Sequence, residues 1–147
     1  MKLKQLLTAI KYRAEQVPDV DITDLVYDSR KAVPGCAFVC LRGANADGHK
    51  YAKMAAEKGA AVIIAEEIGE APVPVILTDN TRLALAYLSA EFFGHPAEQM
   101  HVIGITGTKG KTTTAFMMRS ILEAAGHKTG VIGTIGVLYG DTLVQTD

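Results

Sequence analysis

HVIGITGTKGKTTTAFMMR, residues 101–119, joins three unlike pieces in one short stretch. The apolar run Val102, Ile103 and Ile105 reads as a strand, and Gly107-Thr108-Lys109-Gly110-Lys111-Thr112 as a glycine-rich loop. An amphipathic helix follows from about Lys111 to Ala125, with Gly126 as its stop. Strand, loop and helix in that order predict a cradle for phosphate groups, because the N–H groups of a helix N-terminus converge on an anion that the helix dipole also favours. Glycine at 107 and 110 lets the backbone turn sharply and a phosphate approach closely. Lys111 would reach the β- and γ-phosphates as a point charge, and Thr112 would set its hydroxyl on Mg2+. The general pattern G-x-x-x-x-G-K-[ST] asks for glycine at position 105, where this chain has Ile105 flanked by Gly104 and Gly107. Thr113 and Thr114 admit two readings, as phosphate contacts or as ordinary residues of the first helical turn.

Downstream, Thr129–Gly133 reads as a strand, completing one βαβ step. A doubly wound sheet needs several such steps to cover both its faces, so the expectation is an incomplete second domain and a chain that is the N-terminal piece of something longer. Upstream, Gly94–Met100 reads as the domain boundary. Before it, TRLALAYLSAEFF is a helix capped by Asp79 or Asn80 and closed by Gly94. Its Leu83, Leu85, Leu88, Phe92 and Phe93 lie on more than one face, which predicts burial on two sides. Residues 2–11 read as a short helix carrying Leu3, Leu6, Leu7 and Ile10 on one side. Strands are expected at Ile22–Asp28, Cys36–Leu41, Ala61–Ala65 and Val75–Thr78, and a helix from Asp47 as its cap to about Lys58, stopped by Gly59. Strands alternating with helices make the fold class α/β, a small N-terminal domain followed by the start of a P-loop domain.

Hydrophobic residues at 48% and charged residues at 21% fit a folded globular chain, and a net charge of -1 predicts no general affinity for nucleic acid or anionic membrane. No apolar run approaches bilayer-spanning length, and the N-terminus MKLKQLLTAIKYR lacks the apolar core and small-residue cleavage site of a secretory signal, so the cytoplasm is the expected compartment. Cys36 and Cys40 on one strand would share a face about 13 Å apart, too far to bridge. They read as small buried hydrophobes. His95, His101 and His127 show no metal-ligand spacing.

The run GITGTKGKTTT resembles the ATP-binding loop of the Mur ligases, whose usual form is TGTNGKTTT; Lys109 stands where asparagine is usual. The upstream sequence is similar to the same family. Tyr27-Asp28-Ser29-Arg30, Val33-Pro34-Gly35, Phe38-Val39 and Gly43, Asp47-Gly48-His49 and Gly59-Ala60 resemble the uridine-nucleotide domain of the ligases acting third and fourth in peptidoglycan-precursor synthesis. Gly133-Thr134 followed by Gly136 is similar to the third, which joins a diamino acid (meso-diaminopimelate or L-lysine) to UDP-N-acetylmuramoyl-L-alanyl-D-glutamate. The fourth shares the first domain and usually has a serine at the position of Thr108.

The resemblance implies a uridine-nucleotide-binding domain over residues 1–97 and the beginning of a central P-loop ATPase domain over 98–147. It implies ATP bound by Gly107, Thr108, Lys109, Gly110, Lys111, Thr112 and Thr113, with Lys111 catalytic and Mg2+ on Thr112. Tyr27 and Ser29 would contact the UDP-sugar, with Ala44, Asn45 and Ala46 enclosing it. The implied reaction is ATP-dependent amide formation through an acyl phosphate, with the UDP-sugar dipeptide and a diamino acid as substrates. The chain by itself is expected to lack ligase activity. Read from the residues alone, Asp28-Ser29-Arg30 is also plain turn chemistry, Asp47 a helix cap and His49 a surface or internally satisfied histidine. Three further readings stay open. They are the ligase acting fourth, an unrelated P-loop nucleotidase, and a non-catalytic uridine-nucleotide module that self-associates through Ile103, Phe116, Met117, Ile121 and Leu122.

Overall fold

The computed structural model describes residues 1–43, 46–67, 69 and 71–145, and the chain divides into two compact units, Met1–Met100 and His101–Asp147. The first unit is an α/β layer structure. Strands β1 (Leu25–Val26), β2 (Ala37–Val39), β3 (Val62–Ala65) and β4 (Val75–Leu77) form one parallel sheet in that order. Phe38 lies opposite Ile63, and Ile64 opposite Ile76. Every residue of β2 and β3 is buried. Continuous apolar runs of this kind belong to a sheet covered on both faces.

Strand alternation sorts the core into two clusters. Ala37, Val39, Val62, Ile64 and Ile76 pack with Leu3, Leu6 and Leu7 and with Ala84 and Leu88. These last come from helix α1 (Leu3–Leu6) and the 3-10 turn that follows it, and from helix α3 (Thr81–Phe92). On the other face Phe38, Ile63 and Ala65 pack with Ala52 and Ala55 of helix α2 (Ala52–Glu57), joined by Cys36 and Cys40. Both cysteines are buried and free.

Several elements are shorter than their sequence patterns. The first helix ends as a 3-10 turn at Leu7–Ala9 instead of running to residue 11. Beyond Ile10 the backbone is drawn out along the sheet edge, where Arg13 exchanges both backbone hydrogen bonds with Leu77. The helix expected from Asp47 opens as a 3-10 turn, Gly48–Tyr51, before α2 begins. Gly48 N–H donates to Leu41 O at 2.8 Å, and a Cβ at position 48 would stand 2.7 Å from Leu41 N. That close approach requires glycine and tightens the first turn. Helix α3 is capped by Asn80, whose side chain accepts from Leu83 N–H. It is buried on one face only. Thr81, Ala84 and Leu88 point inward, while Leu83, Tyr87 and Phe93 are 53%, 53% and 65% exposed, so the expected two-sided burial is not observed. The inward stripe follows the 3.6-residue period, with Leu85 and Phe92 half-buried beside it, and Leu83, Tyr87 and Phe93 fall outside its arc.

The second unit departs further from expectation. Among the described residues, 102–105 form no strand, since a strand exists only through hydrogen bonds to a neighbour and none lies beside this run. Helix α4 (Lys111–Ala124) is followed by an antiparallel meander, β5 (Gly130–Gly133), β6 (Gly136–Tyr139) and β7 (Thr142–Val144), in place of a βαβ step. Two-residue turns at Thr134-Ile135 and Gly140-Asp141 join the strands, Gly140 having φ +52°. Arg119 ties helix to meander, donating to Glu123 Oε1 at 2.8 Å and to Gly140 O at 2.8 Å.

One-sided burial of α3 is testable by substitution. Leu88→Ala should cost about 2–5 kcal/mol of unfolding free energy, the range for a buried leucine. Leu83→Ala should stay within about 0.5 kcal/mol. Urea titration of both variants checks the contrast, and equal losses would contradict it.

Candidate functional site

In the second unit the chain enters α4 through Gly110, whose φ of +79° is left-handed and suits glycine. Gly110 O accepts from Thr114 N–H at 2.9 Å. The N–H groups of Lys111, Thr112 and Thr113 precede the first intrahelical donor, and no side chain caps this end. Lys111 folds back so that Nζ donates to Gly107 O at 2.6 Å. The ammonium is thereby held over the loop beside the uncapped amides. Residues 106–114 are exposed. A set of uncapped N–H donors with one fixed cation suits an anion such as a phosphate.

In the first unit, β1 ends at the turn Tyr27-Asp28-Ser29-Arg30, a 3-10 turn over Ser29–Lys31. Asp28 Oδ1 accepts from the Arg30 amide at 2.9 Å, and its carboxylate takes the Arg30 guanidinium in a two-pronged contact, down to 2.7 Å. That guanidinium, then the amide, hold the Asp28 carboxyl down at about 2. Ser29 is buried, and Tyr27 is 62% exposed. Lys58 Nζ donates to Ser29 O at 3.0 Å and Arg30 O at 3.3 Å, pinning the turn from the end of α2. Ala46 stands in the turn after β2, where Gly43 N–H donates to its carbonyl at 2.8 Å. Ala44 and Asn45 lie outside the described residues. Tyr27, Ser29 and Ala46 thus all follow the carboxyl ends of parallel strands, the usual place for ligands on such sheets.

The same sheet end carries a polar network that sequence reading did not assemble. His49 Nδ1 lies 2.6 Å from Asp47 Oδ1, and the Glu66 amide donates to His49 Nε2 at 3.0 Å. Glu66 Oε1 accepts from both the amide and the hydroxyl of Thr81, at 2.9 and 3.0 Å, which joins β3 to the start of α3. Arg42 faces Asp47, Glu66 and Glu67 at 3.7, 3.5 and 3.0 Å. The His49 contact lowers the Asp47 carboxyl below its ordinary value, and the Thr81 amide does the same for Glu66. Asp47, His49 and Glu67 come within 4.8 Å of one another. Both imidazole nitrogens are already hydrogen-bonded, and Arg42 supplies the balancing positive charge, so the trio does not present a vacant ligand set. The signal available beforehand was the placing of Arg42 and Glu66 directly after two apolar strands. Burial pushes the neighbouring Cys40 thiol up to about 12, leaving it unreactive.

Two family models match the chain: "Mur ligase family, catalytic domain" over residues 21–93, and "Mur ligase middle domain" over 105–146. A UDP-N-acetylmuramoyl-L-alanyl-D-glutamate--2,6-diaminopimelate ligase from Bacillus licheniformis is 50% identical over 139 residues, covering 92% of this chain and 28% of that protein. A UDP-N-acetylmuramyl-tripeptide synthetase from Roseiflexus is 42% identical over 151 residues, covering 100% and 30%. Among solved structures, MurF from Acinetobacter baumannii superposes with a TM-score of 0.68 at 35% identity, over 82% of this chain and 27% of that one. MurF ligase from Thermotoga maritima in complex with ADP gives 0.56 at 30% identity, over 69% and 23%. The chain spans less than a third of the length of these relatives.

The Asp28 turn makes a pH prediction. Its carboxyl titrates at about 2 when folded against an ordinary 3.8, so the stabilisation is complete above pH 3.8 and disappears as pH falls through about 2. Carboxyl NMR titration should find Asp28 at that low midpoint, and Arg30→Ala should return it toward the ordinary value.

Proposed function

The chain belongs to the Mur ligase family, and from that premise we propose that it serves ATP-dependent addition of a diamino acid to UDP-N-acetylmuramoyl-L-alanyl-D-glutamate in peptidoglycan precursor synthesis. The first unit takes the UDP-sugar through Tyr27 and Ser29 at the end of β1, through Ala46 after β2, and through Ala44 and Asn45. The second takes ATP on Gly107, Thr108, Lys109, Gly110, Lys111, Thr112 and Thr113. The observation that carries this reading is the uncapped, glycine-entered start of α4 with the Lys111 ammonium fixed on Gly107 O, in a chain 50% identical over 139 residues to part of a diaminopimelate ligase.

In the proposed reaction the dipeptide's glutamate-derived carboxylate attacks the γ-phosphate of ATP, giving an acyl phosphate and ADP. The amine of the diamino acid then forms the C–N bond as the C–O bond to phosphate breaks, and the proton lost from nitrogen leaves with solvent. Lys111 and the first-turn amides of α4 neutralise charge that spreads over the transferring phosphoryl oxygens. Thr112 is exposed in that first turn, and a single hydroxyl fits Mg2+, which takes few protein ligands and keeps several waters. There it would offset the negative charge of the phosphates. No helix of the described residues is long and apolar enough to cross a membrane, and a reaction on soluble ATP and a soluble UDP-sugar suits the cytoplasm.

The likeness to MurF supports a second reading, a ligase that takes the UDP-sugar tripeptide. Calorimetry separates the two. The dipeptide should bind the 147-residue chain more tightly than the tripeptide, and the reverse order would favour the second reading. Lys111→Ala should weaken binding of a non-hydrolysable ATP analogue by about tenfold or more, the worth of a charge-assisted contact, while leaving UDP-sugar affinity unchanged. Equal analogue binding by both proteins would refute the assignment of the loop.

A further inference from the structure

We infer that His49 is a positioning residue, locked as its Nδ1–H tautomer, that holds Ala46 and Asp47 where the first unit needs them for a uridine nucleotide. The inference deepens the proposal above and rests on it. The Glu66 amide is a donor, so Nε2 must present a lone pair to it. Asp47 is an acceptor, so Nδ1 must carry the proton. One tautomer meets both demands, and it is the opposite of the form that predominates for neutral histidine in water. The side chain is only 9% exposed, which keeps competing water away.

What this histidine fixes is the segment Ala46–Gly48 against Leu41–Gly43. Arg42 and Asp47 face each other as a backbone bridge, and Gly43 N–H reaches Ala46 O inside it. Gly48 N–H returns to Leu41 O just beyond. Asp47 Oδ1 also accepts the His49 amide, so one carboxylate oxygen holds both the backbone and the ring of the same residue. Through Nε2 this segment is tied to the end of β3, and Glu66 carries the tie on to Thr81 at the start of α3. Each ring nitrogen of His49 is engaged by one directed bond, and together the two bonds fix the orientation of the ring. The bonds set where Ala46 stands relative to the strand ends, and the ligand need not order that residue itself.

Two measurements test this on the 147-residue chain. Long-range 15N–1H NMR of the four histidines should show one ring, absent from the spectrum of His49→Gln, with a protonated Nδ1 and a bare Nε2. A protonated Nε2 on that ring, with Nδ1 bare, overturns the inference. Calorimetric titration with UDP-N-acetylmuramoyl-L-alanyl-D-glutamate should show weaker binding in each of two conservative variants. His49→Asn keeps the partner at Asp47, and His49→Gln keeps the partner at Glu66. Each should bind about fivefold or more weakly, the worth of one hydrogen bond, with ATP-analogue binding unchanged. Wild-type affinity in either folded variant overturns the positioning role and leaves the nucleotide reading standing. A wild-type chain that shows the expected tautomer and binds no UDP-sugar overturns both.

Discussion

Two-sided burial of β2 and β3 is the constraint on which the first unit rests. Seven consecutive-strand residues with no exposed face leave no room for a polar side chain within the sheet. Whatever chemistry the unit carries is therefore confined to the ends of the strands. Arg42 and Glu66 stand just beyond β2 and β3, and the Asp28 turn just beyond β1. A parallel sheet sends all its carboxyl ends the same way, so residues far apart in sequence arrive together.

Their arrival creates an electrostatic problem that Arg42 and His49 resolve. Asp47, Glu66 and Glu67 converge within reach of one guanidinium, while Asp47 and Glu66 also draw on backbone amides. Both of those carboxylates are held below their ordinary range by hydrogen bonds, so they remain charged and the network remains intact across neutral pH. A half-satisfied cluster here would cost stability at a crowded sheet end. No buried side-chain polar atom among the described residues lacks a partner.

Legibility in the sequence follows the range of the interactions. Asp47 and Asn80 as caps, and Gly59, Gly94 and Gly126 as stops, are written in local chemistry and stand where the pattern puts them, each of these glycines with positive φ. The α/β class follows from the order of apolar runs. Leu83 and Phe93 mislead because composition names apolar residues without saying which arc of a helix meets a core. Val102–Ile105 misleads for a related reason, as a strand is defined by its neighbour. The meander of β5 to β7 was signalled by Gly140-Asp141, a two-residue turn that the βαβ expectation passed over. His49 meets Glu66 across seventeen positions and Glu66 meets Thr81 across fifteen; no local pattern encodes such pairs.

The two units prepare for anions and nucleotides in opposite ways. In the first, the N–H groups of Gly43, Gly48 and His49 after β2 are already spent on Ala46 O, Leu41 O and Asp47 Oδ1 before any ligand arrives. In the second, the first-turn amides of α4 have no side-chain cap, and their satisfaction falls to solvent or to a bound anion. Lys111 bridges the two strategies, since its bond to Gly107 O keeps the ammonium inside the loop. An arriving phosphate then meets a cation already in place and amides still free to donate. Less side-chain freedom is lost on binding than a lysine in open solvent would lose. The glycine at 110 makes this possible, because any residue with a capping side chain there would occupy the donors that the anion needs.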